Sequence, residues 1–342
     1  MKKILLALII VFSSISCNKK TENQGKVKLN ENDSLFSSVI YNNKTVNLGY
    51  KFIPNSHFNY QLTSTISTDE LIKTDTLIKN RYFQTADYTF NFIVKSKNPD
   101  STYSLNTTIS KIKIVSKYND QVVNFSSDST ISPGDRNKFI EYETVLNTPF
   151  ELVLTKKGLI KEINNIDKMV DKFIAAENQT EKITKEDRQK IIDYIKYSAL
   201  APLCQLIFRI MPENKITKDS TWEEKYRSTM ASLTILNKVT FKLDDFVKLP
   251  NGVGAKITAS LSTTNYGNKK GTEQGINYEF DEPKFNGDGV IIFDIDKGML
   301  FSSVTSTKLE TKVRMEGKDS QQKNRKTERS EISTTKNVIK LL

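Results

Sequence analysis

Residue types able to carry covalent or acid–base chemistry are scarce in this chain of 342 residues: two cysteines, Cys17 and Cys204, and a single histidine, His57. A zinc site resting on imidazole, a Ser-His-Asp triad or a Cys-His dyad would each have to use that one ring. It stands in Asn55-Ser56-His57-Phe58-Asn59, which reads as a surface or strand-edge position. Cys204, inside Leu203-Cys204-Gln205-Leu206-Ile207-Phe208, reads as a small buried hydrophobe. Asp244-Asp245 and Asp281-Glu282 have the residue types of a glycosidase pair, but nothing in the sequence brings them together, and solvated loops are expected. Asp294, Asp296 and Gly298 open like a calcium loop without its downstream glutamate. Gly252-Val253-Gly254 and Gly287-Asp288-Gly289 open like a dinucleotide fingerprint without the third glycine or the following helix. Turns account for all three stretches. Trp222 is expected to fill core space in preference to stacking on a sugar. The chain is therefore read as a non-enzyme with no catalytic residue, no metal site and no cofactor.

Cys17 is different, because its surroundings give it a job. Lys2 and Lys3 precede an apolar run from Ile4 to Phe12, and the small residues Ser14 and Ser16 lead to the cysteine, the plan of an export signal occupying residues 1–16. The apolar run is far short of the roughly 20 residues that a membrane-spanning helix needs. Ser14-Ile15-Ser16-Cys17 resembles the lipobox of bacterial lipoproteins, in which the cysteine becomes the first mature residue and carries lipid. Here a serine stands third before the cleavage point, where leucine is usual; a plain secretory signal with an incidental cysteine and a membrane anchor are the other readings. The lipobox implies lipidation at Cys17, a membrane partner through that lipid, and a place in the cell envelope, anchored to a bacterial membrane, outer membrane being the expectation. With Cys17 acylated, Cys204 has no partner for a disulfide. Residues 1–16 hold two lysines and no acid, so the mature chain keeps 49 basic residues against 40 acidic ones. That excess is spread along the chain, as on a solvated surface or one attracted to an anionic membrane. An exported protein does not meet nucleic acid, and no nucleic-acid motif is present.

Period-2 alternation dominates the rest. Phe58, Tyr60, Leu62 and Ile66 form one apolar face, and Tyr88, Phe90, Phe92 and Val94 another. From Tyr103 the apolar positions change phase at Ile112 and Ile114, which predicts a bulge near Ser110 and Lys111. Later segments repeat the plan: Leu233 to Leu243, a turn at Pro250-Asn251-Gly252, Val253 to Leu261, then Val290 to Asp294 and a very long strand from Met299 towards Met315 with Phe301 on its apolar face. The Lys-rich span Lys318 to Arg329 reads as a hairpin tip. Strands of such length belong to strongly curved sheets. Between the β segments, Ile163, Ile166, Met169, Val170, Phe173 and Ile174 recur at helical spacing, and Thr184 with Asp187 resembles a capping box. Ala201-Pro202 is expected to interrupt the helix. Leu203 to Met211, apolar on every side apart from Gln205 and Arg209, must then be buried.

The lipobox, the long β segments, the Phe-x-x-x-Leu-Thr-x-x-Gly hairpin at Phe150 to Gly158, the helical insertion, and Pro212 followed by Asp219-Ser220-Thr221-Trp222 together resemble an uncharacterised family of Gram-negative β-rich lipoproteins, classed as a domain of unknown function. The likeness runs from Val46 to Leu342. In architecture the chain is also similar to the half-barrels that carry lipoproteins. The expected fold is mainly β with a helical insertion: a long curved antiparallel sheet wrapped around buried helices. Residues 17–45 are read as the lipidated cysteine and a flexible tether, and 46–342 as one domain made of β halves 46–163 and 219–342 around helices in 164–212. Two functions fit this plan. One is a binding or carrier module for a lipid or other amphipathic ligand, lined by Phe90, Phe92, Phe241, Phe301 and Leu206. The other is a structural or assembly lipoprotein that docks an envelope protein and has no ligand cavity. A cavity of a few hundred Å³ under the sheet separates them.

Overall fold

The computed structural model describes residues 36–41, 45–130, 138–176, 183–230, 233–273, 275–318 and 322–342. Cys17 and the signal-like segment lie outside the described residues. In chain order the elements are β1 (His57–Lys73), β2 (Leu77–Lys97), β3 (Thr102–Tyr118), β4 (Gln121–Ser126), α1 (Ile140–Val145), β5 (Phe150–Thr155), β6 (Ile160–Asn164), α2 (Asp167–Ala176), α3 (Lys185–Asp193), a π-helical turn (Tyr194–Leu200), α4 (Ala201–Ile207), β7 (Thr221–Met230), β8 (Leu233–Leu249), β9 (Gly252–Gly267), β10 (Lys270–Glu273), β11 (Ile276–Phe280), β12 (Lys284–Asp294), β13 (Met299–Lys318) and β14 (Asn324–Leu341). Helix α1 has no counterpart in the sequence reading.

The described strands form one antiparallel sheet of 14, not closed into a barrel. Its main path runs β6-β5-β3-β2-β1-β14-β13-β12-β9-β8-β7, so the two β halves join where β1 pairs with β14, and β6 and β7 are the ends of the path. Strand β13 is 20 residues long and β2 is 21. Bulges provide the bend that strands of this length need. Ser110 is the extra residue of β3 opposite Thr89 and Phe90, as the phase change predicts. Lys95 in β2, Asp244 in β8 and Phe301 in β13 are other extra residues.

The inward face is the core. Leu62, Phe90, Leu105, Leu243, Phe293, Leu300 and Ile339 come from strands on both sides of the β1–β14 seam and belong to one cluster that also contains Ile195, Leu203, Leu206, Ile207 and Phe208 from the helical segment. The apolar helix is therefore buried against the sheet, as its lack of a polar face requires. Thr184 caps α3, accepting from the Asp187 N–H. Ala201-Pro202 does not end the helix, contrary to expectation. Proline lacks an N–H and its ring crowds the carbonyl four residues back; here the chain widens into the π turn, where the Ala201 N–H reaches the Lys196 carbonyl, and continues directly into α4.

Residues 36–41, expected within the tether, lie instead against the sheet. Val39 N–H donates to the Phe246 carbonyl, Lys248 N–H to that of Ser37, and the Tyr41 ring stacks on Phe246 at 4.5 Å. Phe36 and Val39 are apolar exceptions in that polar stretch, and both find apolar neighbours here.

One end of the half-barrel is sealed by the segment leading into β1. Val46 bridges Ile216, Tyr50 N–H donates to the Lys156 carbonyl and Lys51 N–H to that of Gly298, so the strap ties the β5–β6 turn, the approach to β7 and the β12–β13 turn together. Tyr50 is completely buried at the centre of this seal. Its ring lies 5.4 Å from that of Phe293 and 5.7 Å from that of Phe208, and its hydroxyl donates to the Arg209 carbonyl at 3.2 Å. Gly158 makes the approach feasible: with φ +89, a Cβ there would meet the Arg209 carbonyl oxygen and stand 2.6 Å from a Tyr50 ring carbon. Gly158→Ala should thus cost at least about 2 kcal/mol, through backbone strain and overlap together. The urea midpoint of the variant against its parent checks this; an unchanged midpoint would mean that the seal does not limit stability.

Candidate functional site

The inward-facing residues change size along the strands. Towards the sealed end they are large: Phe58, Tyr60 and Leu62 on β1, Phe90, Phe92 and Val94 on β2, Phe293 on β12, Leu300 on β13. Phe52, Phe58, Phe92 and Phe208 form a continuous aromatic cluster, with Phe58 stacked on Phe92 at 5.1 Å and Phe208 edge-on to Phe92 at 5.2 Å. Further along the same faces they become small or polar: Ser64, Ala86, Gln84, Ala259, Gly287, Thr305, Thr307 and Thr335. There the helix no longer meets the sheet, and a cavity of about 600 Å³ opens between them. That volume lies inside the range of about 300–1,000 Å³ usual for small-molecule sites. Ile235, Phe285 and Leu309, with Leu261, make a second apolar cluster, and Phe285 and Leu261 reach the cavity wall.

Leu206 and Phe241 lie on the cavity wall. Phe90 and Phe92 do not; they are packed inside the solid aromatic end, where neighbours on β1 and the helix fill the space in front of them. Phe301 faces elsewhere. As the extra residue of the β13 bulge, it leaves Leu300 to face the core, and it packs edge-on to Phe36 at 5.8 Å beside Val247, Leu249 and Ile292. Trp222 stacks on Phe241 at 5.3 Å and is only half-buried.

Several polar groups face the cavity, and sequence reasoning did not assign them to it. Glu224 and Tyr226 are inward positions of β7. Burial raises the Glu224 carboxyl, with Glu213 adding to the rise, and pushes the Tyr226 phenol up to about 12. Asn337 of β14 turns a buried Oδ1 towards no partner. Arg209, just after α4, contributes to the wall, and its Nε and Nη2 atoms are buried without a hydrogen-bond partner. Burial pulls its guanidinium down to about 10, which leaves it a cation at neutral pH. Lys161, Glu162, Arg227 and Tyr197, exposed residues of the lining, mark a mouth between β6, β7 and the π turn. Gln205 fastens α4 beside that mouth, its amide nitrogen donating to the Gly158 carbonyl at 3.1 Å.

The other chemistry-bearing residues lie outside the cavity lining. His57 is the exposed first residue of β1. Cys204 is fully buried, and burial pushes its thiol up to about 12. Asp245 accepts from Lys218 and Ser38, which holds its carboxyl down at about 2, while Asp281 pairs with Arg314. Asp294 accepts from the Lys297 N–H and Asp296 from that of Val253, so both carboxylates fasten turns.

Residues 100–300 match a family of unknown function, DUF6263. The chain belongs to that family. No curated protein matches the chain. Among solved structures it is similar to lipovitellin, in a structure of its lipid–protein interactions, at 10% identity and a TM-score of 0.42, over 85% of this chain and 25% of that one. The chain thus spans a quarter of the lipovitellin chain that it matches. It is also similar to OccK11 of Pseudomonas aeruginosa, at 8% identity and a TM-score of 0.20, over 85% of this chain and 99% of that one. A BenF-like porin of Pseudomonas fluorescens Pf-5 is similar at 7% identity and a TM-score of 0.18, over 85% of this chain and all (100%) of that one.

Packing differs sharply between the two ends, and mutation should expose it. Phe92→Ala, in the solid end, should cost about 3–5 kcal/mol. Leu206→Ala, on the cavity wall, should fall at or below the low end of the 2–5 kcal/mol usual for a buried leucine, because the cavity already takes the place of some contacts. Equal losses by denaturant titration would contradict the division.

Glu224 supplies a pH test. Its carboxyl is raised on folding, so the folded chain favours the protonated form, and stability falls as pH rises from the ordinary carboxylate range through the raised value. Glu224→Gln should leave stability unchanged at low pH and raise it above that window. Thermal unfolding of both chains from about pH 4 to about pH 8 reads the difference directly.

Proposed function

We propose that the chain is an envelope lipoprotein, anchored by lipid on Cys17, that binds or carries an amphipathic ligand under its curved sheet without catalysing a reaction. The observation that carries the reading is the cavity of about 600 Å³ between the helix and the small-residue end of the concave face. A protein serving only as a scaffold has no use for such a space, since filling it with larger side chains would add stability at each position. The wall combines apolar groups from Ile66, Leu203, Leu206, Phe241, Phe285 and Ile291 with a few polar ones, the composition that suits a ligand with an apolar body and a polar end. The anchoring half of the proposal rests on the lipobox-like sequence before Cys17 and places the domain at a bacterial membrane, the outer membrane being favoured.

Two measurements test it. Cys17→Ala should shift the protein from the membrane fraction to a soluble or unprocessed form; a processed, detergent-phase Cys17→Ala protein would refute the anchor. The chain from residue 17 onward, made without its lipid, should release acyl-chain amphiphiles on extraction and mass analysis and should bind a fluorescent fatty acid. A chain that does neither would be an assembly lipoprotein docking a protein partner instead.

A further inference from the structure

The polar end of the ligand can be specified. We propose that Arg209 is the counter-ion for the head group of an acidic acyl-chain amphiphile, a carboxylate or a phosphate, whose tail lies along the apolar wall. The inference rests on the carrier reading above and goes on to name the class of ligand. A buried guanidinium without an anion is an expensive arrangement in a folded protein, because charges are removed from water only when paired. Arg209 comes close to that position: the residue is half-buried, its Nε and Nη2 atoms are buried and find no partner, and the groups that influence its charge most are the phenols of Tyr50 and Tyr226, which burial keeps un-ionised.

Nε and Nη2 belong to the same edge of the guanidinium, and that edge offers two parallel N–H groups, the fork that fits a pair of carboxylate or phosphate oxygens. Arg209 forms part of the cavity wall, so an oxyanion entering the cavity meets it after a rotation of the side chain's outer torsions. Its backbone is fixed, since its carbonyl accepts from Tyr50 and packs against Gly158, so the fork swings about a defined origin. Leu206 and Leu203, about one and two turns back along the same helical segment, and Phe241 and Ile291 on the sheet opposite offer the apolar path for the tail. The acidic residues of the lining, Glu162, Glu224 and Asp288, set the limit on the head, because they disfavour a second negative charge on the ligand.

The test uses the chain from residue 17 onward with Cys17→Ser, titrated with dansylated undecanoic acid and with its methyl ester. The parent should bind the acid at least about tenfold more tightly than the ester, the step that about 1.4 kcal/mol represents. Arg209→Met, similar in length and without charge, should abolish that preference, so that acid and ester bind the variant equally. Arg209→Lys, which keeps the charge and loses the fork, should restore part of it. Dodecyl phosphate as a competitor tells a phosphate head from a carboxylate by displacing the acid more or less strongly than lauric acid does. Inorganic phosphate and acetate should not displace it at matched concentration; if they do, the site takes a free anion and the proposal is wrong. Equal binding of acid and ester by the parent would remove Arg209 from the head-group role while leaving the carrier reading intact, and this comparison stands even if the variants fail to fold. Binding of neither probe would overturn the carrier reading, and this inference with it.

Discussion

Everything enclosed by the sheet is positioned by one close approach, in which Gly158, Tyr50 and the Arg209 carbonyl meet within van der Waals distance. Only a residue without Cβ, held at positive φ, lets the β5–β6 turn pass beneath the end of the helical segment. From that point the strap through Tyr50 reaches Lys156, Gly298 and, by way of Val46, Ile216, so both ends of an open sheet are fastened to the same short stretch of chain. Lys157 strengthens the knot, its Nζ donating to the Leu48 carbonyl at 2.9 Å and to that of Pro212. Hydrogen bonds so far from the strand ladders do for this sheet what closure does for a barrel: they hold the two path ends in register across the helix.

The second constraint is a gradient of side-chain volume. Close packing of Phe52, Phe58, Phe92 and Phe208 at the sealed end supplies the dispersion and transfer energy of a conventional core. Beyond Leu62 on β1 and before Tyr88 on β2 the same faces carry Ser64, Ala86 and Gln84, and the opposite strands carry Thr305, Thr307 and Thr335. The sheet keeps its curvature there, because curvature is set by bulges and twist and not by what fills the concavity. Small residues on a curved wall are what leaves the cavity open.

Much of this arrangement was legible in the sequence. Period-2 alternation located the strands, the phase change after Ile109 located the bulge at Ser110, and the unbroken apolar surface of Leu203 to Met211 required burial. The cavity lining was legible only in part. Alternation marks which residues face inward, but it does not say at which level along a long strand the helix stops touching them, so Phe90 and Phe92 could not be told from Phe241. Phe301 was misassigned because a bulge shifts the phase by one residue, and nothing local to Met299-Leu300-Phe301 signals it. Arg209 was visible as a charge in an apolar run, and the inward runs of Ser, Thr, Ala and Gly were visible too. Their shared meaning needed the register that sets β2, β12, β13 and β14 side by side. Pro202 misled in the opposite direction: its cost to a regular helix is real, and the π turn absorbs it.

The seam between β1 and β14 has a consequence for the order of assembly. Tyr60 lies opposite Leu341 and Lys73 opposite Glu328, so the ladder joins segments separated by more than 250 residues. Loop closure over such a distance is slow, and folds dominated by distant pairings form late. During synthesis the β1 edge, with Tyr60, Leu62 and Ile66 on its inner face, stays without its neighbour until almost the whole chain is available. A polypeptide built this way is kept from premature folding by its own topology. The same exposed edge makes it dependent on whatever shields unpaired strands until the last one arrives.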